Sequence, residues 1–469
     1  MNQHLTLTGR EAAIAELKQR FGDAAVSGTS ALDLHAGDES HHHRRRPDIV
    51  VYPASTEEVA EIVRIAGRHG IPITPFGAGS GLEGGAIPIE GGISLDTSRF
   101  DTILEIRPDD MIARVGAGVR RLALNHALRE TGLFFPVDPG ANASIGGMVS
   151  TGASGTNAVH YGVMRENVLG LTVVTSGGKI VRTGSLARKS SSGYDLTRLF
   201  VGAEGTLGIV TEITLRLHPI PDARSAHASF TSLAGAVRAV TDIKRAGLSI
   251  GRVELLDQPL VEVINRHGPL SLPSLPTLFF EFHGSEAESD GLSEAIAGIV
   301  TENGGTPLIW ADTQDAARQL WETRRDCLGW AKAERPGAGS WPSDVCVPIS
   351  RLAEVVLETR EDVAGSKVPA YIVGHVGDGN FHCVFILRED EETEVAAYAD
   401  RIVARALAVG GTASGEHGVG LGKRKFQLIE HGPEAIALMH ALKATLDPLG
   451  IFNPGKVLPD LTASQANQP

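Results

Sequence analysis

Two histidines flank a glycine-rich turn in the stretch Tyr371–Leu387, YIVGHVGDGNFHCVFIL. The runs on each side are rich in β-branched and aromatic residues, and the four residues 377–380 between them are typical of a hairpin with a longer loop. With those four residues as the loop, His375 faces His382 across the strand pair. Directly opposed side chains on one face have Cβ atoms roughly 5 Å apart, so the two imidazoles are predicted to bind one metal ion.

A carboxylate that could complete this site lies in Ser414–Gly418, SGEHG. Neighbouring residues of an extended chain point to opposite sides, so Glu416 is predicted to face the metal while His417 faces elsewhere. A set of two histidines and one carboxylate also occurs in non-haem iron oxygenases, and zinc hydrolases use similar ligands. Two unrelated core histidines are a further alternative, and the hairpin residues leave these readings open.

Length, charge and cysteine content exclude several classes. The chain has 469 residues, enough for two or three domains, and its net charge of −13 disfavours a nucleic-acid-binding protein. The three cysteines have no paired spacing, which indicates reduced thiols. No apolar run approaches the roughly 20 residues of a membrane span, and the N-terminus has no signal-peptide pattern. We therefore expect no transmembrane segment and a cytoplasmic location, with peripheral contact to a membrane left open.

A glycine-rich loop follows a predicted strand–helix–strand unit at residues 49–76. Its sequence, GAGSGLEGG over residues 77–85, contains a formal G-x-G-x-x-G. A Rossmann turn must open a helix, and the following AIPIEGG cannot form one, because it contains a proline and two glycines. Consecutive exposed backbone N–H groups can still bind phosphates as a nest. A merely flexible loop is the alternative.

Further glycine-rich segments at 137–148, 152–162 and 200–210 suggest a long ligand lying against the backbone. Pro219-Ile220-Pro221-Asp222 breaks this pattern and marks a predicted domain boundary. Beyond it, helices are predicted near 285–303, 312–333, 350–364 and 392–409, in an α+β domain with a largely antiparallel sheet.

Eight segments in order resemble one family: PFGAGSGLEGG, FPVDPGANASIGGM, STGASGTNAVHYG, FVGAEGTLGIVTEITLRLHP, SDVCVPISRL, IVGHVGDGNFHCVF, GEHGVGLGKRK and LKATLDPLGIFNPGKVL. They resemble the FAD-linked 2-hydroxy acid dehydrogenases of the vanillyl-alcohol-oxidase superfamily, and most of all the cytochrome-type D-lactate dehydrogenases. The resemblance implies an α+β fold: a PCMH-type FAD-binding domain of two α+β subdomains, then a cap with a largely antiparallel sheet flanked by helices. The implied organisation is a lead-in at 1–46, the FAD domain at 47–220, the cap at 221–447, and a segment at 448–469 that returns to the FAD site.

The resemblance also implies the residues that bind FAD. They fall in the loop after the second predicted strand, in the glycine-rich segments and near the C-terminus. They are Pro75, Gly77, Ala78, Gly79, Ser80, Gly81, Leu82, Pro139, Gly140, Ser144, Ile145, Gly152, Ser154, Gly155, Asn157, Tyr161, Gly162, Glu204, Gly205, Ile209 and Asn453.

In the cap, the resemblance makes His375, His382 and Glu416 the ligands of a divalent metal (Zn, Mn or Fe) and His417 the base. Arg324 matches the arginine that binds the substrate carboxylate, for which a guanidinium fork is suited. Asn380 is a candidate hydrogen-bonding partner of the substrate. Relatives that act on D-2-hydroxyglutarate have a threonine four residues after this arginine; Leu328 stands there instead, which disfavours a second carboxylate.

The implied function is FAD-dependent, metal-assisted oxidation of a short D-2-hydroxy acid, D-lactate before others, with electrons passed to a cytochrome, a quinone or an electron-transfer flavoprotein. Glycolate or D-2-hydroxyglutarate dehydrogenation is the alternative within the family, and a non-catalytic FAD-binding subunit of a larger complex is the alternative of another class. A homodimer is left open.

Some members of the superfamily attach FAD through a histidine of the pyrophosphate loop, and residues 77–85 contain none. We therefore predict non-covalent FAD. Acid or heat precipitation of the purified protein should release all the yellow colour into the supernatant. Colour that stays with the washed, denatured polypeptide would contradict this prediction.

Overall fold

The computed structural model describes residues 7–284 and 286–460, which divide into two compact units. The first unit comprises the described residues up to 153, 163–219 and those from 416 onward. The second comprises 154–162 and the described residues of 220–415. The change from one unit to the other at Pro219–Ile220 falls within the proline-rich segment 219–222.

Helices occur in both units. In chain order the α-helices of the described residues are α1 Leu7–Phe21, α2 Thr29–Leu34, α3 Thr56–His69, α4 Arg121–Leu128, α5 Ile145–Thr151, α6 Ala158–Tyr161, α7 Met164–Asn167, α8 Leu196–Phe200, α9 Leu233–Arg245, α10 Gln258–His267, α11 Glu286–Glu302, α12 Gln314–Ala333, α13 Leu352–Val363, α14 Glu392–Ala408 and α15 Gln427–Leu446.

The first unit contains a four-stranded, a five-stranded and a two-stranded sheet. Its strands are β1 Ala25–Val26, β2 Ile49–Val51, β3 Ile73–Phe76, β4 Ile93–Asp96, β5 Ile103–Arg107, β6 Ile112–Gly116, β7 Leu133–Phe134, β8 Val168–Thr175, β9 Lys179–Gly184, β10 Ile209–Arg216 and β11 His218–Pro219. The four-stranded sheet has the order β1-β2-β4-β3, and β4 runs parallel to both β2 and β3. The five-stranded sheet, β5-β6-β10-β8-β9, is antiparallel throughout.

Helix α3 shows how the sequence determines local structure in this unit. Ser55 caps the helix, because its side chain accepts a hydrogen bond from the Glu58 backbone N–H at 3.2 Å. The apolar face of the helix, which includes Val59 and Ile62, is buried in the core of the unit. By contrast, residues 77–92 contain no helix, which confirms that the glycine-rich loop is not a Rossmann turn.

The second unit is built on one eight-stranded sheet. Its strands are β12 Ala223–Ser229, β13 Arg252–Leu256, β14 Thr277–His283, β15 Ile309–Trp310, β16 Gly339–Pro342, β17 Val345–Cys346, β18 Ala370–Gly374 and β19 Asn380–Leu387. The order is β15-β12-β14-β13-β18-β19-β16, with β17 also paired to β19, and every pair is antiparallel. The four predicted helices of this region appear as α11 to α14, and the α+β fold class is confirmed.

The predicted register of the histidine hairpin is wrong. In the structure His382 pairs with Val373, two residues before His375, and the connection is residues 375–379. This connection contains a short 3-10 turn over Val376–Asp378 and a left-handed Gly379 (φ +81°). It therefore begins and ends earlier in the sequence than the predicted loop 377–380. Asn380 is therefore the first residue of β19 and not a loop residue. Because the shift is two residues, both imidazoles remain on the same face of the sheet.

Candidate functional site

The candidate site of the second unit lies at one end of β13, β18 and β19, where polar side chains replace the apolar ones of the sheet face. Leu256 pairs with Val373, and Val373 pairs with His382, so these three side chains share a face. Leu255 pairs with Gly374, and the residues next to this pair, Glu254 and His375, are in side-chain contact. The sheet thus positions a carboxylate and two imidazoles within one small area.

Glu254 is completely buried and joins His375 to Arg324. Its Oε1 lies 2.6 Å from His375 Nδ1, and its Oε2 accepts a hydrogen bond from Arg324 Nε at 2.9 Å and forms an ion pair with Arg324 Nη2 at 2.8 Å. Burial alone would raise the pKa of the Glu254 carboxyl, but the charges and hydrogen bonds of His375 and Arg324 bring this pKa below its usual value. Glu254 is therefore the ionised partner of both side chains.

A backbone carbonyl fixes the orientation of the His382 ring. Its Nδ1 lies 3.0 Å from the Ser343 carbonyl oxygen, and the ring centroids of His375 and His382 are 5.6 Å apart. A carbonyl or carboxylate oxygen accepts a hydrogen bond, so Nδ1 of each ring carries a proton and Nε2 is the nitrogen through which the ring could bind a metal. Histidines that bind a metal commonly donate their other ring N–H to a carboxylate or a backbone carbonyl, as these two do. The donor set of the second unit therefore fits a divalent ion.

Asn380 lies next to these histidines in β19 and offers an acceptor. Its amide Nδ2 donates to Asp344 Oδ1 and to the Val345 carbonyl, both at 2.9 Å. Within the part of the chain that the structure describes, its buried Oδ1 has no hydrogen-bond partner. A buried acceptor without a partner is costly, so this atom is a natural contact for a bound hydroxyl group or water.

Gly415 packs directly against this amide. A Cβ at position 415 would lie 2.0 Å from Asn380 Nδ2, so no larger residue fits there without displacing Asn380. Asp344, which accepts from Asn380, also accepts a hydrogen bond from Ser414 Oγ at 3.0 Å. The end of the second unit is thus fixed to the candidate site.

Glu416 and His417 begin the last segment of the first unit, directly after Gly415. Glu416 Oε1 lies 3.6 Å from His417 Nε2. The prediction that the two side chains point to opposite sides is wrong, because the backbone at 415–417 is bent and not extended.

The segment that follows is held by Glu204, which is buried and accepts hydrogen bonds from the backbone N–H groups of Val419 and Gly420. Burial raises the pKa of the Glu204 carboxyl, and the two N–H donors oppose that rise. Glu204, which the sequence analysis assigned to FAD binding, therefore holds the backbone just after His417.

The glycine-rich loop of the first unit fits a phosphate group. None of the backbone N–H groups of residues 78–82 donates a hydrogen bond to another described residue. Gly79 adopts a left-handed conformation (φ +71°), which alternates with right-handed neighbours in backbone nests. A Cβ on Gly77 would lie 2.4 Å from Ser144 Oγ, so this loop packs on the N-terminal cap of α5.

Other predicted FAD-binding residues of the first unit converge on the same loop. Gly205 packs on Pro75, since a Cβ there would lie 2.3 Å from Pro75 Cγ. The Asn453 side chain donates to the carbonyls of Gly85 at 3.0 Å and Glu204 at 2.8 Å. The C-terminal segment reaches this position because the backbone N–H of Ile73 donates to Ile451 and that of Asn453 to Ile73. The remaining predicted residues of this unit lie in the 139–140 loop, in α5, at its C-terminal Gly152 and at the start of β10.

The predicted FAD-binding residues Ser154, Gly155, Asn157, Tyr161 and Gly162 belong to the second unit. Asn157 Oδ1 accepts a hydrogen bond from Arg252 Nε at 2.7 Å, and the Tyr161 hydroxyl lies 3.4 Å from His283 Nδ1.

Sequence reasoning missed Glu254 and did not assign a role to Asp344. Both are fully buried carboxylates that contact residues of the candidate site. The sequence feature that could have identified Glu254 is its position as the single charged residue in the otherwise apolar end of strand β13, VELL. Ionisable residues are seldom fully buried unless they are paired.

Comparison with protein families defines the class. The model described as "FAD binding domain" matches residues 47–184, and "FAD linked oxidases, C-terminal domain" matches residues 221–457. Together they define an FAD-dependent oxidoreductase.

Curated relatives cover nearly the whole chain. "Probable D-lactate dehydrogenase, mitochondrial" of Danio rerio is 45% identical over 98% of this chain and 94% of its own length. "D-lactate dehydrogenase [cytochrome], mitochondrial" of Arabidopsis thaliana is 39% identical over 95% of this chain and 80% of its own length. "Glycolate oxidase subunit GlcD" of Bacillus subtilis is 36% identical over 92% of this chain and 95% of its own length.

Among solved structures, a 4-ethylphenol oxidase from Gulosibacter chungangensis has the same fold, with a TM-score of 0.81 at 18% identity over 98% of this chain and 99% of its own. The chain belongs to the FAD-linked oxidase family and is similar within it to the cytochrome-type D-lactate dehydrogenases, which confirms the resemblance found in the sequence.

Within the described residues, no helix combines the length and the hydropathy needed to cross a bilayer.

Proposed function

We propose that this protein oxidises a short D-2-hydroxy acid, D-lactate to pyruvate, and passes the electrons to a cytochrome. The observation that carries the proposal is the pair of imidazoles whose Nδ1 atoms are held by Glu254 and the Ser343 carbonyl, beside an arginine held by Glu254. The names of the Danio and Arabidopsis relatives support the same substrate, and the Arabidopsis name supports the acceptor. A quinone or an electron-transfer flavoprotein is the alternative acceptor.

Two bound groups supply chemistry that side chains lack. FAD, when bound, accepts the two electrons of the substrate as a hydride, and a divalent metal, when bound, polarises the hydroxyl oxygen and lowers the pKa of that hydroxyl. His375, His382 and Glu416 would hold the metal, and a set of two imidazoles and one carboxylate suits Zn, Mn or Fe. The backbone nest at 78–82 would hold the FAD pyrophosphate.

The protein's own residues bind the substrate and move one proton. Arg324 binds the substrate carboxylate with its guanidinium donors. His417 accepts the hydroxyl proton, a task for which an imidazole is suited near neutral pH. Asn380 Oδ1 accepts a hydrogen bond from a hydroxyl or water at the site, which satisfies its otherwise costly burial.

A second substrate within the same chemistry is glycolate, which the name of the Bacillus relative favours. D-2-hydroxyglutarate is disfavoured, because Leu328 packs against the apolar cluster of the second unit and offers no partner to a second carboxylate. A non-catalytic FAD-binding subunit is disfavoured by the two histidines held in the metal-binding tautomer.

Anaerobic reduction of the flavin tests the proposed function. D-lactate should bleach the visible flavin absorption within the time of mixing, whereas L-lactate and D-2-hydroxyglutarate should leave it unchanged at the same concentration. Adding oxidised cytochrome c afterwards should restore the colour. Retention of full absorption with D-lactate and glycolate alike would contradict the proposal.

Replacement of the base should slow chemistry without loss of FAD. His417→Ala should lower kcat by ~10²–10⁴-fold, the usual contribution of a general base. The FAD content, measured by absorbance, should equal that of the wild type. An exposed histidine of the second unit gives the control: His267→Ala should keep kcat unchanged. A His417→Ala enzyme with near-full kcat would exclude this role.

Replacement of a metal ligand should remove metal and activity together. His382→Ala deletes one of the two imidazoles, so elemental analysis after dialysis should find little divalent metal, and D-lactate turnover should be lost. Flavin absorbance should persist, because the nest lies in the other unit. A variant that keeps stoichiometric metal would show that His382 is not a ligand.

A further inference from the structure

Glu254 occupies an unusual place in the second unit. It is a completely buried carboxylate on the interior strand β13, and its two partners come from different elements. One partner, His375, follows β18, and the other, Arg324, lies on α12. The side chains of both partners are only 11% exposed, so solvent screens this arrangement weakly.

We propose that Glu254 is a positioning residue that serves metal binding and substrate binding with one carboxylate. The inference deepens the proposed function and rests on it. Glu254 sets the tautomer of His375 for the metal, and it holds the guanidinium of Arg324 for the substrate carboxylate.

The first part follows from hydrogen-bond chemistry. An ionised carboxylate can only accept, so the 2.6 Å contact from Glu254 Oε1 requires the proton on His375 Nδ1. The lone pair then resides on Nε2, the atom that a metal would use. A carboxylate in this role also raises the basicity of the histidine, and loss of such a partner typically costs 10–100-fold in metal affinity.

The second part concerns Arg324. A flexible side chain on a helix would lose considerable rotamer entropy on binding a substrate. A hydrogen bond from Nε to Glu254 Oε2 and an ion-pair contact from Nη2 to the same oxygen at 2.8 Å already hold one edge of the guanidinium. The arginine is thereby oriented before the substrate arrives, which favours binding.

One substitution distinguishes the positioning role of Glu254 from a role in side-chain packing alone. Glu254→Gln has nearly the same size, but its amide has one donor end and one acceptor end. With the oxygen towards Arg324, the amide N–H₂ faces His375 Nδ1 and forces the proton onto Nε2, which then cannot bind a metal. With the oxygen towards His375, the amide N–H₂ meets the donors of Arg324. Either orientation loses one of the two functions.

Asp257 provides a matched control near the end of the same strand. It is also fully buried and ionisable, and it accepts hydrogen bonds from Arg360 and from the Ile372 backbone N–H. Within the described part of the chain, Asp257 contacts no residue of the candidate site. Asp257→Asn therefore tests the general effect of neutralising a buried carboxylate in this unit.

The experiment compares wild type, Glu254→Gln and Asp257→Asn as full-length, FAD-loaded proteins. We expect Glu254→Gln to bind Zn²⁺ or Mn²⁺ roughly 10–100-fold more weakly in a titration of the metal-depleted protein, to raise KM for D-lactate, or to do both. Asp257→Asn should keep the metal affinity and KM of the wild type. FAD content and Tm are measured for all three.

If Glu254→Gln does not fold, Glu254→Asp takes its place in the same comparison. It keeps the buried charge but is one methylene shorter, so it cannot reach both partners, and it should weaken metal binding or raise KM in the same direction. A folded Glu254 variant with wild-type metal affinity and wild-type KM would overturn the inference, as would equal effects at Asp257. Failure of the proposed function would look different, since the wild type itself would then bind no metal or leave D-lactate unoxidised.

Discussion

The need to satisfy buried carboxylates shapes both units of this protein. A charged group without water must be surrounded by donors, and removing one donor leaves a large desolvation cost. In the second unit, Glu254 draws a histidine and an arginine from two other elements to one point. In the first unit, Glu204 fixes the backbone at 419–420, just after His417. The residues with predicted chemical roles are thus placed by acids that have a structural task.

Local signals in the sequence predicted much of the fold. The cap of α3 at Ser55 and the helices α11 to α14 follow from apolar periodicity and capping, which act over a few residues. The absence of a helix after the glycine-rich loop follows from Pro88 and the neighbouring glycines. The residues of the hairpin and of the segment SGEHG indicated the candidate metal ligands, and the family resemblance then supplied the cofactor and its binding residues, which no periodicity indicates.

Long-range and conformational details could not be predicted in the same way. The register of the histidine hairpin depends on a 3-10 turn and a left-handed Gly379, which the residues 377–380 do not specify uniquely. Glu254 is 121 residues from His375 and 70 from Arg324 in sequence, so its contacts arise from strand order and helix packing. The bend at Glu416 and His417 begins at Gly415, which packs against the Asn380 amide, a contact between residues that are distant in sequence.

The fixed amide of Asn380 has a consequence for turnover. Because both of its N–H groups are used by Asp344 and Val345, the amide cannot rotate, and the site offers a permanent acceptor. In the proposed reaction, lactate has a hydroxyl hydrogen to donate, whereas pyruvate has none. The product therefore leaves this acceptor unsatisfied, and the same atom that receives the reactant favours departure of the keto acid and exchange for a new reactant molecule.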